Sequence, residues 1–166
     1  AGTATSQEEA DDIPVVERAG ITFAFLDYTY GLNGFERDEV PVYAVNFLDE
    51  ERIRAQVSQA RALADVVIVA VHWGTEKKME PDEQQLTYAQ VFADAGVDIV
   101  LGSHPHVIGP VEWVEGVDGH KTLVAYALGD FKSTHSTPHL ESELSGMLAC
   151  DFVRKPAPDG AADAAD

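Results

Sequence analysis

A chain of 166 residues, 45% hydrophobic and 24% charged, has the composition of one globular domain and the length to bury a core. Its 29 acidic residues outnumber 11 basic ones, for a formal charge of −18. Such a surface repels phosphate backbones and anionic headgroups, which argues against nucleic-acid binding and unassisted adsorption to a membrane.

In chain order, residues 1–12 are small, polar and acidic and read as a flexible lead-in. Residues 13–17 and 21–27 read as two strands of a hairpin turning at Ala19-Gly20. Residues 28–40 are irregular, and 42–47 suit a short strand. Asp49 opens a helix to about Ala64, with Ile53, Val57, Ala60 and Leu63 at helical spacing. Residues 66–71 are a continuous apolar, mostly β-branched run, the pattern of a strand buried on both faces. Pro81 starts a second helix, which Gly96 ends. Residues 97–101 repeat the buried-strand pattern. Residues 111–115 and 121–126 form a hairpin around Asp118-Gly119, and 145–153 read as a last strand. Within that strand the lone cysteine, Cys150, is expected to be a buried, inert thiol. Residues 156–166 are a low-complexity acidic tail expected to be disordered, which leaves 13–155 as the folded domain. The order is mixed α/β, with one clear parallel βαβ unit at 66–101.

That unit carries the functional argument. Two strands joined by a helix run parallel and end on the same sheet edge, where ligands bind in such sheets. His72 follows the first strand, and Gly102-Ser103-His104-Pro105-His106 follows the second. Neighbouring strands lie about 4.8 Å apart, so His72, His104 and His106 should face one small volume. Neutral imidazoles there suit a divalent metal; the competing reading is a hydrogen-bonded histidine cluster. Gly102 is read as allowing a sharp turn, and Pro105 as stiffening the histidine pair. Trp73 reads as a packing lid. Glu76 is either a carboxylate that orients a histidine or a solvated loop residue. Asp130 is either a ligand or orienting group or a turn aspartate. His135 and His139 read as an incidental loop pair, and His120 as a solvated turn residue.

Four stretches carry a family resemblance: Val71-His72-Trp73-Gly74-Thr75-Glu76, then Pro81 with Gln84 and Gln85, then the run from Ala95 through Gly102-Ser103-His104-Pro105-His106-Val107, then Tyr126-Ala127-Leu128-Gly129-Asp130-Phe131. They resemble the bacterial capsule-synthesis proteins of the CapA type, the poly-γ-glutamate synthesis proteins grouped with calcineurin-like metallophosphoesterases. The resemblance runs from about Ile13 to Val153 and implies part of a two-sheet sandwich flanked by helices, with a metal site at one edge. It makes His72, His104 and His106 metal ligands, with Glu76 and Asp130 as supporting carboxylates of the reaction. Asp130 stands where the family usually has Asn. Such proteins carry Gly-Asp, Asn-Leu-Glu and Asn-Asn-His motifs in their N-terminal half; apart from the Gly129-Asp130 pair of the fourth stretch, none occurs in this chain.

The resemblance thus implies the C-terminal part of a capsule or poly-γ-glutamate biosynthesis protein. Its cofactor would be divalent Mn, Zn or Fe, in one or two sites, and its reaction phosphoester hydrolysis or transfer in the intact protein, with this segment inactive alone. The alternative is a non-catalytic cell-surface protein that assembles or binds the polymer. Partners would be the N-terminal half or a second copy, together with the export machinery. The intact protein would be anchored at the bacterial cell surface.

Overall fold

In a computed structural model, residues 2–132 and 140–153 are described. His135, His139 and the tail at 156–166 lie outside them. The elements in order are α1 (Gln7–Asp11), β1 (Val15–Arg18), β2 (Ile21–Thr29), α2 (Glu50–Leu63), β3 (Val66–His72), α3 (Glu83–Ala95), β4 (Ile99–Ser103), β5 (Val111–Glu115) and β6 (Lys121–Ala125). The stretch read as a flexible lead-in thus holds a short helix, capped by the Ser6 hydroxyl.

Among the described residues the strands form a single sheet of order β1-β2-β3-β4-β6-β5. The four inner strands are parallel, and the outer pairs β1–β2 and β5–β6 are antiparallel hairpins. The class is the expected α/β one, and β3–α3–β4 is the expected βαβ unit. A second such unit, β2–α2–β3, precedes it. Ala19 and Gly20 both take positive φ, the backbone that lets a two-residue hairpin turn follow the twist of its strands.

Asp49 caps α2 through the Arg52 amide at 2.9 Å. The start of α3 lies later than Pro81 suggested. Asp82 is the cap, and its own amide donates to Gln85 Oε1 at 3.1 Å. Pro81 therefore precedes the cap. Gly96, at φ 91°, ends α3 as expected.

Both long helices lie on one sheet face. Ile53, Val57 and Phe92 meet Val67, Val69, Val71, Val100, Val124 and Tyr28 in the core. The alternate residues Phe25, Ile68, Leu101 and Leu123 point to the other face and are half-buried. Phe152 reaches that face and meets the Phe23 ring edge-on at 5.1 Å.

Two predicted strands are absent from the sheet. Residues 42–47 make only isolated bridges, Thr3 to Val45 and Thr29 to Phe47. Residues 145–153 make one, Gly129 to Ser145. Their alternation is genuine, but neither stretch pairs along its length with a strand of the sheet. Cys150 is consequently exposed, not buried.

Candidate metal centre

The register of the inner strands builds the site. His72 closes β3 opposite Ser103, the last residue of β4, and Thr29 of β2 lies on its other side. The loops after these strands therefore leave the sheet at one level.

His72, His104 and Tyr30 pack ring against ring. The two imidazole centroids lie 4.6 Å apart. Tyr30 stacks nearly parallel on His72 at 5.9 Å and leans on His104 at 4.8 Å. His106 lies 6.0 Å from His104 and is tied to Asp130, Nδ1 to Oδ1 at 2.8 Å. One ligand atom from each of Glu76, His104 and His106 lies within 4.8 Å of the others, a group that one cation can bridge. His72, expected as a third histidine ligand, is not in this group; its ring packs on that of His104. Of the five residues that sequence reasoning singled out, Glu76, His104 and His106 converge, while His72 contacts His104 and Asp130 contacts His106. Glu76 enters as a candidate direct ligand, and Asp130 as the carboxylate that orients His106.

Proton positions follow from the hydrogen bonds. The Ser103 hydroxyl donates to the Val71 carbonyl at 3.2 Å, so Nδ1–H of His72 donates to Ser103 Oγ at 3.2 Å. The lone pair of His72 is then on Nε2. Burial, and next the neighbouring imidazoles, hold the His72 pKa below its ordinary value. Burial does the same for His104, against the opposing pull of Glu76. Both rings are accordingly neutral donors near neutral pH. Two imidazoles and a carboxylate suit Zn, Mn or Fe, so the residues present fit the implied metal.

The loops that carry these groups are locked in strained backbone. His104 and His106 take φ of 99° and 57°, and Lys77 takes 62°. Each such non-glycine conformation costs roughly 1–3 kcal/mol, and the surroundings must enforce it. The Lys77 amide donates to the Pro105 carbonyl at 2.8 Å, which joins the Glu76 loop to the His104-Pro105-His106 turn. Its ammonium donates to the buried Ser142 hydroxyl at 2.9 Å.

Two supporting roles differ from expectation. Trp73 is no lid: it is fully buried, and its indole N–H donates to the Tyr126 carbonyl at 2.9 Å. Gly102 does not make the turn, because it sits inside β4 and the positive φ falls on His104. It is glycine because a Cβ there would collide with the Tyr126 carbonyl and come within 2.6 Å of the Trp73 indole nitrogen. His120 is only partly solvated. Its Nε2–H donates to the Val97 carbonyl at 2.8 Å, at the opposite sheet edge.

Sequence reasoning missed Tyr30, Ser103 and Lys77. Ser103 was legible as the residue opposite His72 once β3 and β4 were paired. Tyr30 required the unrecognised β2–β3 pairing, and Lys77 required the tertiary contact with Pro105.

Comparison with known proteins adds independent findings. The family model described as bacterial capsule synthesis protein PGA_cap matches residues 1–135. The PGA biosynthesis protein CapA of Bacillus subtilis (strain 168) is 36% identical over 114 residues, which cover 68% of this chain and 28% of that protein. The capsule biosynthesis protein CapA of Bacillus anthracis is 37% identical over 81 residues, 46% of this chain and 18% of that protein. The chain thus spans less than a third of the length of these curated relatives. Among solved structures, a hypothetical protein from Thermus thermophilus aligns with a TM-score of 0.48 and 19% identity, over 75% of this chain and 41% of that one.

Proposed function

Because the chain belongs to the bacterial capsule synthesis protein family PGA_cap, we propose that it contributes a divalent-metal centre to a capsule or poly-γ-glutamate synthesis protein, and that the centre serves phosphoester hydrolysis or transfer in the whole protein. The observation that carries this reading is the convergence of Glu76, His104 and His106 within 4.8 Å. A divalent Zn, Mn or Fe held there supplies Lewis acidity toward a phosphoryl oxygen. Glu76, His104 and His106 would hold the ion, and His72 packs against the ring of His104. Asp130 keeps the proton of His106 on Nδ1, which directs Nε2 to the cation.

The half-buried apolar face around Phe25, Ile68, Leu101 and Leu123 is where the remainder of a two-sheet sandwich, or a second copy of the chain, would pack. Among the described residues no helix is long and apolar enough to cross a membrane. Placement at the cell surface beside an export apparatus would rest on other parts of the whole protein.

The test is metal content of the protein at the length of its relatives, with and without His104→Ala, alongside turnover of phosphomonoesters and phosphodiesters with added Mn²⁺ or Zn²⁺. Stoichiometric metal lost in His104→Ala, with turnover abolished by His72→Ala, is the expected result. Equal metal content in both proteins would overturn the centre. The alternative is a polymer-binding or assembly protein without catalysis. Metal binding without turnover would select it.

A further inference from the structure

Each ligating imidazole needs something to hold its ring plane, and the histidines here differ in what does so. Ser103 holds His72 through Nδ1, and Asp130 holds His106 the same way. The His104 ring has no hydrogen-bond partner among the described residues. Its backbone, at φ 99°, is not that of a strand, so no regular pleat aims the side chain. What meets the His104 ring is aromatic: His72 at 4.6 Å and Tyr30 at 4.8 Å.

Tyr30 is itself firmly placed. Its amide donates to the His72 carbonyl at 2.9 Å, adding one rung beyond the end of β2. The preceding residue, Thr29, is bonded to Asn46 and Leu48 on the other side, each at 2.9 Å. The Thr29 hydroxyl then donates to the Gly31 carbonyl at 2.7 Å and closes the strand end. A ring on so fixed a backbone loses little entropy by lying across two imidazoles.

We infer that Tyr30 is a positioning residue of the histidine centre, its ring serving as the plate that fixes the planes of His104 and His72. For His104 it takes the part that a carboxylate or hydroxyl plays for the other two histidines. The plate acts through its aromatic face, so the ring is required and the hydroxyl is not. The consequence for metal affinity rests on the metal-centre reading above; the orientation of the rings does not.

The experiment uses the 166-residue chain, Tyr30→Phe, Tyr30→Leu, and two readouts. In the metal-free proteins, NMR follows the imidazole ring protons of His72 and His104, which the face of Tyr30 shields. Tyr30→Leu moves both sets toward the positions of free imidazole, and Tyr30→Phe leaves them in place. Titration with Co²⁺, read from its visible ligand-field bands, then gives a roughly 10-fold weaker affinity and an altered band shape for Tyr30→Leu, the size expected for losing an orienting partner. Tyr30→Phe matches the parent chain. Tyr30 is 42% exposed, and circular dichroism with thermal melts confirms that the variants stay folded. If the parent chain takes up no Co²⁺, the imidazole protons alone decide the role of Tyr30, and the metal-centre reading is decided on the protein at the length of its relatives. Unmoved imidazole lines in Tyr30→Leu, or a Tyr30→Phe variant as altered as Tyr30→Leu, would overturn the inference.

Discussion

The two edges of the parallel sheet both carry histidine, and they use it in opposite ways. At the edge where strands begin, His120 donates to the Val97 carbonyl, and Asp98 accepts from the Val67 amide at 2.7 Å. Arg61 pairs with Asp98 at 2.6 Å and donates to the Gly96 carbonyl at 2.7 Å. These groups close on one another, and the left-handed non-glycine residues at this edge, Ala19 and Asp118, lie in hairpin turns. At the edge where strands end, His104, His106 and Glu76 direct ligand atoms toward one another, and histidines themselves bear the left-handed backbone. A closed network secures the fold. Strain carried by convergent polar residues, enforced by neighbours, marks a site.

The largest effect that sharpens this contrast is removal of a ligand. His104→Ala should weaken divalent-metal binding by roughly 100–1000-fold, about one ligand's share of a typical binding free energy. Calorimetric titration checks it, and His120→Ala should bind as the parent does. Equal losses in both variants would erase the distinction between the edges.

Gly102→Ala tests whether the site edge depends on close packing beneath it. The new methyl group meets the Tyr126 carbonyl and the Trp73 indole, so urea denaturation should show a loss of about 3 kcal/mol. An unchanged midpoint would mean that β4 and the Tyr126 strand end are not held together there.

Asp130→Ala should cost about 10-fold in metal affinity by releasing His106. Asp130→Asn should cost less, because an amide oxygen still accepts from Nδ1–H. At the opposite edge, His120→Ala should lower stability by about 1 kcal/mol, the worth of one hydrogen bond; the Thr122 hydroxyl still donates to Val97.

The smallest effect lies away from both edges. Asp27 lines a cavity of about 190 Å³ with Thr3, Tyr43, Asn46 and Gln56. Burial raises its pKa above the ordinary carboxylate value. The native state then binds more protons than the unfolded chain between the ordinary and the raised value, so stability falls as pH rises through that window. Asp27→Asn should therefore raise the Tm slightly at pH 7 and leave it unchanged near pH 3. An equal gain at both pH values would exclude burial of charge as the cause.

Local chemistry made much of the fold legible. The apolar runs of β3 and β4, the Asp49 cap and the Gly96 stop are each specified within a few residues. The misreadings share one cause. Residues 145–153 alternate like a strand, yet a strand exists only where another segment pairs along it, and this stretch makes a single bridge, Ser145 to Gly129. Gly102 suggests a turn because glycine permits one, whereas a packed indole and a carbonyl are what demand it.

The sequence alone determined that His72, His104 and His106 would meet, because a helix between two strands makes them parallel and parallel strands end together. It also placed Glu76 and Asp130 within reach, through the resemblance of their motifs to a known family. Only the tertiary structure decided what each would do. It made Glu76 a candidate ligand, tied Asp130 to His106, withdrew His120 into the far edge and laid Tyr30 over His72 and His104. The physical reason is range. Strand direction follows from connections a few residues long, whereas a side chain's role depends on which distant segment packs against it.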